Sequence, residues 1–209
     1  MSGSDLAETV RKFIAPFTDP VFSELGAYVA DKIKFMRFNN CVNVLIKAQE
    51  ILKERGINPR PVDPKVIIPL LENASLESDE SMVDKWAKLL AAASTDSNIT
   101  PAFPAILAQL ATREANILEW LYDEQQRLCS SMDNYVPAEG IVIIRQIKDQ
   151  FGLTQDESEI IIDNLLRLRL IKTSGIFDTS NPILIRSAAE VSFTTLGAAF
   201  IRACKGATY

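Results

Sequence analysis

The segment FGLTQDESEIIIDNLLRLRLIKTSG, residues 151–175, decides how the chain is read. Gly152 follows the apolar Phe151 and suits a left-handed helix stop. Thr154, with Glu157 three residues on, is a capping box that opens a new helix, in which Ile161, Leu165 and Leu168 fall inward at helical spacing. Upstream, Ile144, Ile147 and Phe151 define a preceding helix, and Ile117, Leu118 and Leu121 define one before that, across a loop from Ser130 to Pro137. Downstream come Leu170 to Thr173, Gly175, a loop with Asn181-Pro182, a strand candidate Ile183-Leu184-Ile185, and Val191-Ser192-Phe193-Thr194, which together read as a β-wing. A last helix runs from Leu196 to Cys204. Helix, glycine turn, helix and wing give residues 112–209 the pattern of a winged helix-turn-helix domain.

Residues 1–111 read as a helical bundle. Between Pro20 and Gly56 there is no proline and a single glycine, Gly26. Val29, Ile33 and Met36 form one apolar stripe; Phe38, Cys41, Leu45, Ala48 and Leu52 form a second. Such a helix of roughly 30 residues would span about 45 Å, so its stripe must pack on other helices of the chain or on a second subunit, making a homo-oligomer one expectation. Lys47, Glu50, Lys53 and Glu54 supply a solvated face with pairs three and four residues apart. Asp63-Pro64 restarts a helix, and Pro69 predicts a kink or break within it. Ser78-Asp79-Glu80 opens the next, with Met82, Trp86, Leu89, Leu90 and Ala93 at helical spacing; Thr100-Pro101 opens one with Phe103, Ile106, Leu107 and Leu110 inward.

Composition narrows the chemistry. The 209 residues hold 22 Lys plus Arg against 27 Asp plus Glu, a net charge of −5, and no histidine. Ser-His-Asp and Cys-His nucleophile systems and His-ligated metals are therefore excluded, and no cofactor is expected. Three widely spaced cysteines, Cys41, Cys129 and Cys204, form neither a disulfide framework nor a metal knuckle, which points to a reducing cytoplasm. No apolar run approaches the roughly 20 residues that cross a bilayer, and the first residues carry no secretory pattern. The eight glycines are dispersed, leaving no phosphate loop.

The candidate recognition helix argues against nucleic acid. From Gln155 to Ile171 four acids, Asp156, Glu157, Glu159 and Asp163, stand against two bases, Arg167 and Arg169. Each acid would face phosphate with like charge. Read as a metal site, Asp156, Glu159 and Asp163 lie at i, i+3 and i+7, but acids in a helix's first turns complement its dipole. The cluster Glu77, Asp79, Glu80 and Asp84 is explained the same way. Cys41 and Cys204 sit among apolar neighbours, and Trp86 and Trp120 are expected in the core. Asp31, Lys32, Lys34, Arg37, Asn39 and Asn40, interleaved with Phe35, Met36 and Phe38, fit a core helix with snorkelling lysines or a surface for a membrane or partner helix. The candidate protein-interaction surface is thus Asp156, Glu157, Glu159 and Asp163, with Lys34 and Arg37.

Several strings also resemble a known family. Phe35-Met36-Arg37-Phe38, Ile51-Leu52-Lys53-Glu54-Arg55-Gly56-Ile57, Pro69 to Glu77 (PLLENASLE) and Trp86-Ala87-Lys88-Leu89-Leu90-Ala91 are similar to the Abi-alpha family of bacterial proteins, over roughly residues 25–120. The resemblance implies a role in abortive infection, in which an infected cell limits phage spread. It brings no catalytic residues with it. The expectation is a protein that works through protein–protein recognition and is not an enzyme; the alternative is a winged-helix transcriptional regulator on DNA, and a third class is a carboxylate enzyme using a divalent metal.

Overall fold

The computed structural model describes residues 35–96, 99–130, 142–174 and 190–206, and the fold is mainly helical with a small antiparallel sheet. Two compact units emerge. Of the described residues, those up to Thr112 together with those from Arg202 form one, and those between Arg113 and Ile201 form the other.

In the first unit, α1 (Phe35–Glu54), α2 (Pro64–Ala74), α3 (Glu80–Ala93) and α4 (Ala102–Leu107) follow one another. The α1 stripe of Cys41, Val44, Leu45, Ala48 and Leu52 is buried, chiefly against α3 and also against α2, so the chain itself covers it. Phe38, expected in that stripe, is instead 46% exposed. On the inner side of α1, Asn40 donates to the carbonyls of Ser75 and Glu77 at 3.1 and 2.8 Å, and the Cys41 thiol donates to the Leu71 carbonyl at 3.3 Å. Burial pushes the Cys41 thiol up to about 11, which leaves it in the unreactive protonated form.

Pro69 does not break α2, which runs on through it. A proline inside a helix costs about 3 kcal/mol, but Val66, Ile67, Leu70 and Leu71 are buried on both sides of it, and their burial offsets that loss. Asp63 caps α2 through the Lys65 N–H at 2.8 Å, and Asp79 caps α3 through that of Met82 at 3.1 Å. Trp86, Leu89 and Leu90 fill the centre of the unit. Lys47 reaches across to Glu80 and Asp84 of α3 instead of pairing along its own helix. The Asp84 hydrogen bond, ahead of all else, holds its ammonium above the ordinary lysine value.

The second unit contains α5 (Thr112–Ser130) from Arg113, β1 (Val142–Ile143), α6 (Ile144–Phe151), α7 (Gln155–Arg167), β2 (Ile171–Ser174), β3 (Glu190–Phe193) and the first residues of α8 (Thr195–Lys205). The sheet order is β1-β3-β2, antiparallel throughout, with Val191 of β3 opposite both Val142 and Thr173. Ile117, Leu118 and Leu121 of α5 are fully buried, and Gln125 donates to the Val191 carbonyl at 3.0 Å. Trp120, expected in the core, is half-buried, edge-on to Phe151 with ring centroids 5.9 Å apart. Gly152 ends α6 at φ 58° in the left-handed region that glycine adopts without penalty, and Leu153 donates back to the Lys148 carbonyl at 3.0 Å. The strand candidate Ile183–Ile185 lies outside the described residues.

Candidate functional site

Helix α7 begins where its local chemistry requires. The Glu157 carboxylate accepts the Thr154 N–H at 2.9 Å and the Thr154 hydroxyl at 3.0 Å, while the Glu157 N–H donates to the Thr154 Oγ1 at 3.3 Å. The inward face is Ser158, Ile161, Ile162 and Leu165. At about 100° per residue, Asp156, Ile160, Asp163 and Arg167 fall within roughly 60° of one another, opposite that buried face. All four are exposed, and Ile160, at 69%, exceeds Leu76, Phe38 and Leu196 in exposure.

The four acids of α7 divide into two kinds. Glu157 is committed to its capping box and to Arg113, whose guanidinium lies 3.0 Å from the carboxylate and also donates to the Phe151 carbonyl at 3.0 Å. Glu159 accepts from the Gln155 amide, which in turn accepts from Lys148. Asp156 and Asp163 project from the solvent face. Arg37 is exposed at the start of α1 in the other unit, and Lys34 lies outside the described residues. The four acids therefore resolve into an exposed pair, Asp156 and Asp163, a structural Glu157 and a locally bonded Glu159.

Ile160 belongs to none of the sequence motifs above. The signal was there: three consecutive isoleucines, 160–162, cannot all point into one core when each turns the helix by about 100°. Ile161 and Ile162 take the buried positions, so Ile160 is turned out.

The Thr154 backbone N–H, then its hydroxyl, and more weakly Arg113, hold the Glu157 carboxyl below its ordinary value of 4.5. A carboxyl depressed in the folded state adds stability above the unfolded value, and that contribution disappears as pH falls through the lower folded one. Glu157→Gln is accordingly expected to lower the urea midpoint at neutral pH, and to lower it by less at an acid pH below the folded value. An equal loss at both pH values contradicts this account.

Other clusters are consumed by the fold. Glu77 accepts the N–H groups of Ser78 and Asp79 at 3.0 Å each, Asp79 caps α3, and Glu80 and Asp84 hold Lys47. An open groove along α1 and α3, lined by Lys47, Glu50, Ile51, Glu54, Asp84 and Lys88, contains that same ion pair. Among the described residues no three His, Cys, Asp or Glu side chains gather as a metal ion would require, and no helix is long and apolar enough to cross a membrane.

The PLLENASLE string forms the end of α2 and the corner that receives Asn40 and Cys41, while the Trp86 to Ala91 string is the buried heart of α3. These residues build the helical scaffold of the first unit. The model of the abortive infection alpha family matches residues 40–204, and the chain belongs to that family. The match begins at residue 40, beyond the Phe35–Phe38 string, and runs past residue 120, the end of the resembling stretch, through the second unit to Cys204 in α8. No curated protein and no solved structure matches the chain.

Proposed function

We propose that the protein serves in defence against phage by abortive infection, in the bacterial cytoplasm, and acts by recognising another protein rather than by catalysis. The family match over residues 40–204 carries this reading. Its mode of action is supported by Leu70, Leu71, Ala74, Trp86, Leu89 and Leu90 of the resembling strings, which are spent on packing, and by the chain's lack of histidine.

In this reading residues 1–111 are the helical core and residues 112–209 a winged helix-turn-helix domain turned to protein docking. The order of α5, β1, α6, the Gly152 turn, α7 and the antiparallel β2 and β3 favours that assignment. The α7 face that such a domain offers to a groove of DNA carries Asp156 and Asp163, whose charge opposes phosphate.

Cells carrying the gene are expected to yield fewer phage than cells lacking it in plaque assays across a broad panel, and unchanged yields throughout would refute the defence role. Fluorescence anisotropy with random duplex DNA at low salt separates docking from regulation. A regulator must display at least salt-sensitive non-specific binding, and none is expected here.

A further inference from the structure

We infer that the solvent face of α7 is a docking site for a basic amphipathic segment of another protein, with one apolar side chain of that segment seated on Ile160 and its lysines or arginines paired to Asp156 and Asp163. The inference deepens the proposed protein-recognition role and rests on it.

Three observations converge on this face. The first is residue choice. An isoleucine loses rotamer freedom in a helix and gains nothing from packing when it points to water, so its place in the middle of an exposed helical face works against local stability. Residues that break a local rule without a structural gain concentrate at binding sites. The second is selective neutralisation. Arg113 and Thr154 occupy Glu157, and Gln155 occupies one oxygen of Glu159, whereas Asp156 and Asp163 flank Ile160 at i−4 and i+3 on the exposed face. An apolar centre with a charged polar rim is the anatomy of a small protein interface. The third is charge sign. Arg167, at i+7 from Ile160, is exposed on the same face but is engaged within its own helix, giving hydrogen bonds to the Asn164 Oδ1 at 2.7 and 3.1 Å, so the two aspartates outnumber it there. The first turns of α7 also carry Glu159 and no base, so complementarity selects a cationic partner segment and rejects phosphate backbones.

The test uses the intact, isotope-labelled chain and a synthetic helical peptide in which one leucine is flanked by lysines three and four residues away. Amide shifts are expected to saturate and to centre on Asp156, Ile160 and Asp163. Ile160→Ser, at a position the fold leaves mostly exposed, should weaken binding about tenfold or more. Asp156→Lys combined with Asp163→Lys should weaken it on the order of tenfold at low salt, and raised salt should weaken the wild type in the same sense.

The inference is overturned by any of four results: no α7 shifts at millimolar peptide, equal response to a peptide with serines in place of the lysines, α7 shifts that arise from dilution of the protein alone, or α7 shifts with random duplex DNA. The third would assign the face to a second copy of the chain, and the fourth to nucleic acid. Plaque assays separate this inference from the reading beneath it. A chain that restricts phage but ignores the peptide removes the docking site and leaves the defence role, whereas saturable, lysine-dependent binding without phage restriction supports the site and removes the role.

Discussion

Trp86→Ala is expected to destabilise the first unit by about 3–5 kcal/mol, the usual cost of removing a buried aromatic ring and leaving its cavity. Trp86 is 1% exposed at the centre of α3, and its neighbours along the helix, Ala87, Leu89 and Leu90, are themselves buried. Domain stabilities lie between about 5 and 15 kcal/mol, so this single change removes a large share of the total. Trp86→Phe discriminates between two origins of the loss. Among the described residues the indole N–H of Trp86 meets no acceptor, and a buried unsatisfied donor costs about 1–3 kcal/mol. Phenylalanine removes that donor while keeping most of the ring volume, so it should cost far less than alanine. Urea unfolding followed by circular dichroism reads both variants, and equal losses for phenylalanine and alanine would show that ring volume is not what Trp86 contributes.

The parts of the structure that were legible in sequence are those determined within one or two helical turns. The capping box at Thr154 and Glu157, the left-handed stop at Gly152 and the Asp caps at Asp63 and Asp79 are local contracts between a side chain and nearby N–H groups, and each forms as its spacing implies. Features set by distant partners were not legible. Val142-Ile143 is a strand only because β3 lies beside it, and in the sequence it was indistinguishable from the apolar start of the helix that follows. Of the kink or break that Pro69 implies on local grounds, the break does not occur, because burial on both sides of it holds the helix together. Lys47 had acids nearby on its own helix yet takes its partners from α3. The acidic surface was legible as a composition but not as a site, because counting charges cannot distinguish Glu157, held by Arg113, from Asp156, which faces water. Ile160 completes that surface, and its outward direction follows only once Ile161 and Ile162 are known to claim the core.

The second large effect concerns Gly197, where two principles give opposite signs. Within a helix, alanine in place of glycine gains about 1 kcal/mol of propensity, and Gly197 lies in the third position of α8. Packing argues the other way. A Cβ at Gly197 would stand 1.8 Å from the Leu170 carbonyl oxygen and 2.6 Å from its carbon, an overlap with backbone that no side-chain rotation relieves. That carbonyl is also fixed from the other side of the corner. Thr194 donates to it through its N–H at 3.1 Å, the Thr194 hydroxyl donates to the Arg169 carbonyl, and the Gly197 N–H donates to the Thr194 Oγ1 at 2.9 Å. To admit a methyl group α8 must withdraw from the turn after α7, and those bonds loosen together. Overpacking costs about 1–3 kcal/mol and each lost hydrogen bond about 1 kcal/mol, so sterics outweigh propensity and Gly197→Ala should destabilise the second unit by about 2 kcal/mol or more. The chain's two tryptophans make the measurement specific. In a Trp86→Phe background Trp120, in the second unit, is the sole indole reporter, and its fluorescence transition should move to lower urea on adding Gly197→Ala. A transition that moves to higher urea would mean that α8 accommodates the methyl group and that propensity, not the contact with Leu170, decides the sign.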